Sequence, residues 1–404
     1  MRTRRERLLF WGVLCIYLVF RVAQILGATA SFDDEDGWTL AAAWELLHGK
    51  SWPYQAYQLS DWECGTRLVV WLALPFTWLF GPSLLAITLT GLTISTVTLA
   101  GLYLVCRRCY GLAAALIGAL LYTFFPAPIY TYSVTAHGFH PDSMAILVFF
   151  FWLGAGFYAG PRTRGRMFLV GLLGGFAIFF AYISVIAVVA GLAPLLWMAL
   201  RRKGTARAAL PALVGGLALG GAPLLLYNLL NGFSGVRTYH GSIDSYFLPQ
   251  HLGENVLWFQ QHTQRFLVEF TDLAHHGGAV LGRFELAFWL LAAGALLWPL
   301  FAWLGRRLLD RPGVQAPPRG GRYLDVAVSI MTPLTLFVFV VSGHPVGTMH
   351  MVPMLVSLLL VMAGRLAALW AGGRLAGKVL VAGLVSCFLM AAVPRQLKDL
   401  RWGS

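Results

Sequence analysis

The sequence predicts an all-α, polytopic membrane protein in which residues 1–404 form a single integral membrane domain. Hydrophobic residues make up 58% of the chain and charged residues only 12%, whereas about a quarter of a typical soluble domain is charged. Lys and Arg gather in short clusters between apolar runs, as they do in the cytoplasmic loops of membrane proteins. The net charge of +13 therefore reflects topology, and no nucleic acid partner is expected.

The first apolar run extends from Leu8 to Gly27, which is long enough to cross about 30 Å of hydrocarbon. Ala28-Thr29-Ala30 resembles a signal-peptide cleavage site, but the apolar core of a signal peptide has only about 7 to 15 residues. We therefore predict a retained membrane anchor. Its N-terminus is predicted to be cytoplasmic because four arginines precede the run, namely Arg2, Arg4, Arg5 and Arg7.

Residues 28–82 are predicted to form the first extracytoplasmic loop, which opens with the carboxylates Asp33-Asp34-Glu35-Asp36. Residues 37–49 have the pattern of a short amphipathic helix with Leu40, Trp44 and Leu47 on one face and Gly49 at the C-terminal cap. The carboxylates lie at its N-terminal end, where the helix dipole favours negative charge. Residues 68–80 are apolar but too short to span the membrane, so an interfacial or re-entrant helix is expected there.

Ten further spans bring the predicted total to about eleven. A long extracytoplasmic loop is predicted at residues 230–283 and a cytoplasmic linker at residues 305–322, which holds five arginines. The predicted spans cover residues 83–105, 111–129, 141–160, 167–181, 183–200, 208–229, 284–304, 323–342, 348–364 and 375–393.

The reactive side chains sort to one side of this topology. All ten histidines and 13 of the 17 acidic residues fall on the predicted extracytoplasmic side, and the cytoplasmic side is expected to be basic and chemically plain. Transporters of protons or ions usually bury ionisable groups near the middle of the membrane, and the middles of these spans are nearly bare of them. Chemistry is therefore expected at the extracytoplasmic surface.

The acidic stretch is compatible with several kinds of site. An EF-hand is excluded because its first and twelfth positions would be Phe32 and Ala43. Asp34-Glu35-Asp36 also matches the D-x-D motif of nucleotide-sugar transferases, but those are soluble α/β domains. A general base with supporting carboxylates and a merely solvated loop remain as alternatives.

A second candidate cluster surrounds Asp142. Pro141 suits the first position of an inward-running helix, whose N-terminus would face the extracytoplasmic side and could receive a phosphate or carboxylate. His137 and His140, with Asp142 or Glu63, could hold a divalent metal, although their spacing is not a specific ligand pattern. No other cofactor is expected.

Three further features of the sequence have both a functional and a structural interpretation. His344 and His350 could neutralise a phosphate or form hydrogen bonds at the membrane interface. Arg21 lies near the outer end of the first span and is expected to extend to the lipid headgroups or to contact an anionic one. Cys106 and Cys109 have C-x-x-C spacing, but they end a membrane helix outside any βαβ context, so neither a redox nor a zinc site is expected.

The order of these features resembles the GT-C glycosyltransferases, especially the branch of protein O-mannosyltransferases and lipid A aminoarabinose transferases. The shared features are a basic N-terminus, one span, an outer loop opening with Asp34-Glu35, a short helix ending in Leu-Leu-x-Gly, an interfacial helix ending in Leu-Phe-Gly and a span ending in Arg-Arg-x-x-Gly. Gly49 follows Asp34 at the family spacing, with Trp38 where a Tyr is usual.

The resemblance implies that Asp34 is the catalytic base, with Glu35 beside it. Glu63 falls near the second acidic position of the loop, where the usual Pro-Pro pair is replaced by Cys64-Gly65-Thr66. Asp142 matches the acidic residue that opens the fourth span, and His350 stands where an Arg-Tyr pair often lies.

These features together predict an inverting transferase at the extracytoplasmic face of the bacterial inner membrane. It would move a sugar from a polyprenyl-phosphate donor to a hydroxyl of a glycan, lipid or protein acceptor. Arg21, His344, His350 and the helix start at Pro141 would bind the lipid phosphate, and Glu35, Glu63 and Asp142 would orient the acceptor or hold a metal. A transporter or flippase of a lipid-linked substrate and a non-catalytic member of the same fold remain as alternatives.

Overall fold

The computed structural model describes most of residues 3–233 and, beyond them, chiefly two helices. Its described part contains helices and loops but no strand, which agrees with the predicted all-α class. The described residues are 3–27, 34–50, 65–124, 130, 132–138, 141–201, 205–233, 253, 257, 318–342, 348–371, 378–379 and 381–382.

Twelve α-helices and one short 3₁₀ turn, Arg207–Ala209, lie within this part. In chain order the helices are α1 (Arg4–Leu26), α2 (Asp34–Leu47), α3 (Gly65–Phe80), α4 (Leu84–Cys109), α5 (Leu112–Thr123), α6 (Met144–Ala159), α7 (Arg164–Phe180), α8 (Ser184–Arg201), α9 (Leu210–Gly220), α10 (Ala222–Leu230), α11 (Arg319–Ser342) and α12 (Thr348–Ala371).

Within the described residues, four helices are long and apolar enough to cross a membrane: α1, α4, α8 and the part of α12 from Val352 to Ala371. The pair α9 and α10 adds a fifth if it is one broken span. The protein is therefore a multi-pass membrane protein. The predicted total of eleven spans stays a prediction, because residues 284–304 and most of 375–393 lie outside the described residues.

The span predicted at residues 208–229 contains a break. The helix breaks at Gly221, and α9 and α10 meet at an angle of 63°. Pro223 lies in the first turn of α10, where its missing N–H and its ring prevent the helix of α9 from continuing. The two glycines just before it, Gly220 and Gly221, weaken the helix further because glycine has a low helix propensity.

Helices α7 and α9 pack with their backbones almost in contact. A Cβ atom added to Gly171 or Gly175 of α7 would overlap a carbonyl of α9, and one added to Gly216 or Gly220 of α9 would overlap a carbonyl of α7. These are two facing small-xxx-small motifs, which allow membrane helices to approach closely.

The two ends of the helix bundle differ in chemistry. At one end, here called the basic end, Arg107 at the C-terminus of α4 pairs with Glu6 in the first turn of α1. A second ion pair joins Asp325 and Arg365. It lies next to the end of α4, since the hydroxyl of Tyr110, the residue that follows α4, donates a hydrogen bond to Asp325. This end therefore holds a partly buried ion pair in addition to its arginines.

Helix α1 has 23 residues and is about 35 Å long, so its C-terminus lies at the opposite end of the bundle. Helix α2, which begins at Asp34, also lies at that end, because its Asp36 accepts a hydrogen bond from Ala136 in the loop before α6. We call it the carboxylate end. Arg107 and Asp34 therefore lie at opposite ends of the bundle, as the predicted topology requires. Which end faces the cytoplasm stays a prediction.

Candidate active site

The candidate site is built around the loop of residues 132–138, which precedes α6 at the carboxylate end. The loop lies close against neighbouring backbone. A Cβ atom added to Gly91 of α4 would overlap the backbone of Thr135, and one added to Gly65 of α3 would overlap the carbonyl of Gly138. Ser95 of α4 also donates a hydrogen bond to the carbonyl oxygen of Ser133 at 2.6 Å.

Two carboxylates from distant parts of the chain bind amides of this loop. Asp36 Oδ1 accepts a hydrogen bond from the N–H of Ala136 at 3.2 Å, and Asp142 Oδ2 accepts one from the N–H of Gly138 at 2.7 Å. Both side chains are buried, at 1% and 4% exposure. Hydrogen bonds to an ionised acceptor are stronger than neutral ones. The structure thus brings the acidic stretch and Asp142 to the same loop.

The start of α2 places the predicted catalytic residues. The helix begins at Asp34, three residues earlier than predicted, because carboxylates in a first helical turn are favoured by the helix dipole. Asp34 and Glu35 therefore lie in that turn, although their side chains are outside the described part. Gly49 has a φ of 73° just beyond the helix, as expected of a glycine that ends one.

The predicted apolar face of α2 is only partly buried within the protein. Leu40 is buried, but Trp44 and Leu47 are exposed. The buried side instead carries Ala42 and Ala43, which pack against α3. Small residues are favoured there because α2 and α3 lie close together.

Asp36 is buried, at 1% exposure, although it is not among the site residues predicted from the sequence. The signal that could have found it is its spacing, since Asp36, Leu40 and Ala43 lie at i, i+4 and i+7 and all three are buried. An acidic residue on the buried face of a helix is itself buried, so it needs a hydrogen-bond donor from the protein.

Arg21 is completely buried, with 0% exposure, so the prediction that it extends to the headgroups is wrong. Its Nη2 donates to the carbonyl oxygen of Thr123 at 2.8 Å. Its guanidinium carbon lies 4.9 Å from the ring centroid of Tyr17 and 4.8 Å from that of Tyr130. The protein itself thus supplies the contacts that lipid headgroups would otherwise provide.

A small cavity lies next to Asp142, between the loop, α4, α5, α6 and α12. Tyr122 of α5 lines it and is close enough to both Arg21 and Asp142 to interact with their charges. The other lining residues are Ile94, Ser95, Thr98, Tyr132, Ser133, Pro141, Met144, Val352 and Val356. The cavity therefore has a hydroxyl-rich wall and an apolar wall from α12.

The remaining predicted site residues are only partly placed. His137 lies in the loop itself, is buried at 3% exposure and packs edge-on against Tyr132 at 5.4 Å between ring centroids. His350 lies in the first turn of α12 and not in a loop, but its side chain is outside the described part. Glu63, His140 and His344 also lie outside it.

The metal site stays a prediction. No group of three or more His, Cys, Asp or Glu side chains that could hold a metal occurs among the residues that the structure describes. The predicted ligands Glu63 and His140 are not among those residues, so only His137 and Asp142 of the predicted set are placed.

This chain is similar to a known protein family and to several solved structures. A family model described as dolichyl-phosphate-mannose-protein mannosyltransferase matches residues 66–227, and the curated proteins give no match. The apo crystal structure of ArnT from Cupriavidus metallidurans matches over 96% of this chain and 75% of its own, with a TM-score of 0.54 and 14% identity. The apo crystal structure of the Archaeoglobus fulgidus oligosaccharyltransferase matches over 99% of this chain, with a TM-score of 0.55 and 12% identity. The chain has the GT-C fold.

This finding confirms the resemblance to GT-C glycosyltransferases at the level of the fold. The present chain spans 56% of the length of the A. fulgidus enzyme. Two related structures contain lipid phosphates: ArnT bound to undecaprenyl phosphate, with 17% identity and a TM-score of 0.50, and AglB from A. fulgidus with an inhibitory peptide and a dolichol-phosphate, with 13% identity and a TM-score of 0.53.

Proposed function

We propose that this GT-C protein is a glycosyltransferase that moves a sugar from a polyprenyl-phosphate donor to an acceptor hydroxyl at the extracytoplasmic face of the bacterial inner membrane. The observation that carries the proposal is the convergence of two acidic regions on residues 132–138. Asp36 binds the amide of Ala136 and Asp142 binds that of Gly138. The fold supports the same conclusion, because ArnT and the oligosaccharyltransferase named above share it.

The donor class is supported by what the related structures hold. The crystal structure of ArnT holds undecaprenyl phosphate, and the structure of AglB holds a dolichol-phosphate and an inhibitory peptide. The matching family model names a mannosyl donor and a protein acceptor, so a hexose such as mannose is the first donor to test. The acceptor is a glycan, a lipid or a protein.

In the proposed reaction Asp34 acts as the general base. It removes the proton from the acceptor hydroxyl while that oxygen attacks the anomeric carbon, and the bond from this carbon to the donor phosphate oxygen breaks. The lipid phosphate leaves with the electron pair, and a single displacement inverts the anomeric configuration. Asp36 is buried and bound to Ala136, so it holds the helix start, while Asp34 and Glu35 lie on other faces of the same turn.

Groups near the carboxylate end would stabilise the leaving phosphate. His344 and His350 are candidates as cations, and the helix start at Pro141 would contribute the positive end of the α6 dipole. Glu35, Glu63, His137, His140 and Asp142 would orient the acceptor. If a divalent metal takes part, Glu63, His140 and Asp142 are its proposed ligands.

Replacing Asp34 by Asn tests the base assignment. The variant should insert into the membrane normally and transfer sugar at least about 100-fold more slowly, because general base catalysis contributes about 10² to 10⁴ to a rate. Transfer is measured with radiolabelled polyprenyl-phosphate sugars. The matched control is Glu45→Gln, which removes a carboxylate at the far end of α2 that pairs with Lys50 and should leave the rate unchanged.

Near-normal transfer by Asp34→Asn would refute the base assignment. Wild-type protein that moves the lipid-linked sugar across vesicle membranes without transferring it would instead indicate a flippase. Wild-type protein that does neither would indicate a non-catalytic member of the fold.

A further inference from the structure

Arg21 is a buried cation without a full set of hydrogen bonds. Its Nε and Nη1 have no hydrogen-bond partner in the described structure, and only Nη2 donates, to the carbonyl of Thr123. A charged group inside a membrane domain is costly and is usually retained for a functional reason. Its full burial excludes direct contact with lipid or substrate in this conformation.

Aromatic rings provide most of the surroundings of the guanidinium. Tyr17 lies one turn earlier on α1, and Tyr130 lies beyond α5, each with its ring centroid within 5 Å of the guanidinium carbon. Tyr17 also stacks on Tyr122 of α5 at 6.0 Å. Arginine suits such a site better than lysine because its planar group can lie against rings while it donates hydrogen bonds.

These contacts attach α1 to both sides of the connection between α5 and the site loop. Thr123 is the last residue of α5, and Tyr130 lies just before residues 132–138. Gln24, almost one turn after Arg21, adds a hydrogen bond from Nε2 to the carbonyl oxygen of Tyr130 at 3.3 Å. Arg21 and Gln24 therefore hold the chain that leads into the loop whose amides bind Asp36 and Asp142.

We infer that Arg21 is a positioning residue of the site. Through Thr123 and Tyr130 it fixes the loop of residues 132–138, and through the loop it fixes the starts of α2 and α6. This assignment rests on the proposed function for its catalytic consequence, and it replaces the direct phosphate contact expected from the sequence.

The test compares Arg21→Met and Arg21→Lys with Val22→Met, a control at the next position of α1 whose side chain is 43% exposed. Hydrogen exchange measures the protection of the Ala136 and Gly138 amides, and donor-dependent kinetics give kcat and KM. Arg21→Met should raise exchange in the loop about tenfold and lower kcat at least about tenfold, with donor KM nearly unchanged, since hydrogen bonds to charged groups have effects of this size. Arg21→Lys should recover part of both effects, and Val22→Met should change neither.

Unchanged exchange in Arg21→Met would overturn the inference. So would a large rise in donor KM at constant kcat, because that result identifies a direct substrate contact. If Arg21→Met does not fold, Tyr130→Leu removes one ring and should loosen the loop in the same way. Wild-type protein that transfers no sugar would refute the proposed function, and the exchange measurement would still decide whether Arg21 fixes the loop.

Discussion

The buried carboxylate of Asp325 is stabilised both by a cation and by a hydroxyl donor. At the basic end, Arg365 Nη2 lies 2.7 Å from Asp325 Oδ2, and the Tyr110 hydroxyl donates to Asp325 Oδ1 at 2.6 Å. Burial, followed by the negative charge of Asp325, raises the pKa of Tyr110 well above its usual value. Tyr110 therefore keeps its proton and remains a donor, and three parts of the chain are joined at one carboxylate.

Removing the cation of this cluster should strongly destabilise the protein. Arg365→Met leaves the Asp325 carboxylate, which is 8% exposed, without its counter-charge, and we expect a loss of about 3 to 5 kcal/mol in the free energy of unfolding. The double variant Asp325→Asn/Arg365→Met should recover most of this loss, because no buried charge remains. Unfolding in detergent micelles measures both variants. Equal destabilisation of the single and double variants would contradict this explanation.

Helix pairs show how small residues set distances between elements. The facing glycines of α7 and α9 allow backbone contact, and the break at Gly221 follows directly after this contact. Hydrophobic burial contributes little between helices in lipid, so close packing has to supply the association. We therefore expect the α7–α9 pair to be sensitive to single methyl groups.

Two neighbouring glycines of α9 offer a matched pair of variants. A Cβ atom at Gly216 would overlap the carbonyl of Phe168, whereas one at Gly215 has no atom within 4 Å among the described residues. Gly216→Ala should destabilise the protein by about 1 to 3 kcal/mol through overpacking. Gly215→Ala should be neutral or stabilising by up to about 1 kcal/mol, because alanine favours helix. Thermal unfolding in detergent measures both, and equal effects would show that α7 and α9 do not pack as described.

The whole molecule separates a basic end, with Arg107, from a carboxylate end, where Asp36 and Asp142 meet. The buried core includes residues of α1, α4 to α8, α11 and α12 and continues between the two ends. The two ends are therefore expected to face opposite sides of the membrane. Because arginine clusters favour the cytoplasmic side, the carboxylate end is expected to face outward.

Cysteine labelling tests this orientation. In a background without native cysteines, Lys50→Cys after α2 should react with a membrane-impermeant maleimide added to intact spheroplasts. Arg5→Cys at the start of α1 should react only after the membrane is permeabilised. Both positions are exposed in the structure, so access depends on the side of the membrane alone. Labelling of Arg5→Cys from outside would place the candidate site in the cytoplasm.

The sequence by itself determined the helical, multi-pass architecture, the helix that follows the acidic stretch and the short apolar helix α3. Hydropathy, periodicity and capping residues are local properties, so they can be recognised without the fold. The order of the basic N-terminus, the first span, the acidic loop with its short helices and the span that ends in Arg-Arg-x-x-Gly also indicated the GT-C fold.

Only the tertiary structure decided which side chains meet. Asp36 is buried and bound to the amide of Ala136, and Arg21 turns inward between Tyr17 and Tyr130. Both outcomes depend on contacts between residues about a hundred positions apart. A charged side chain can form hydrogen bonds with water, with lipid headgroups or with other protein groups. Which of these it meets depends on the packing around it and not on its neighbours in the sequence.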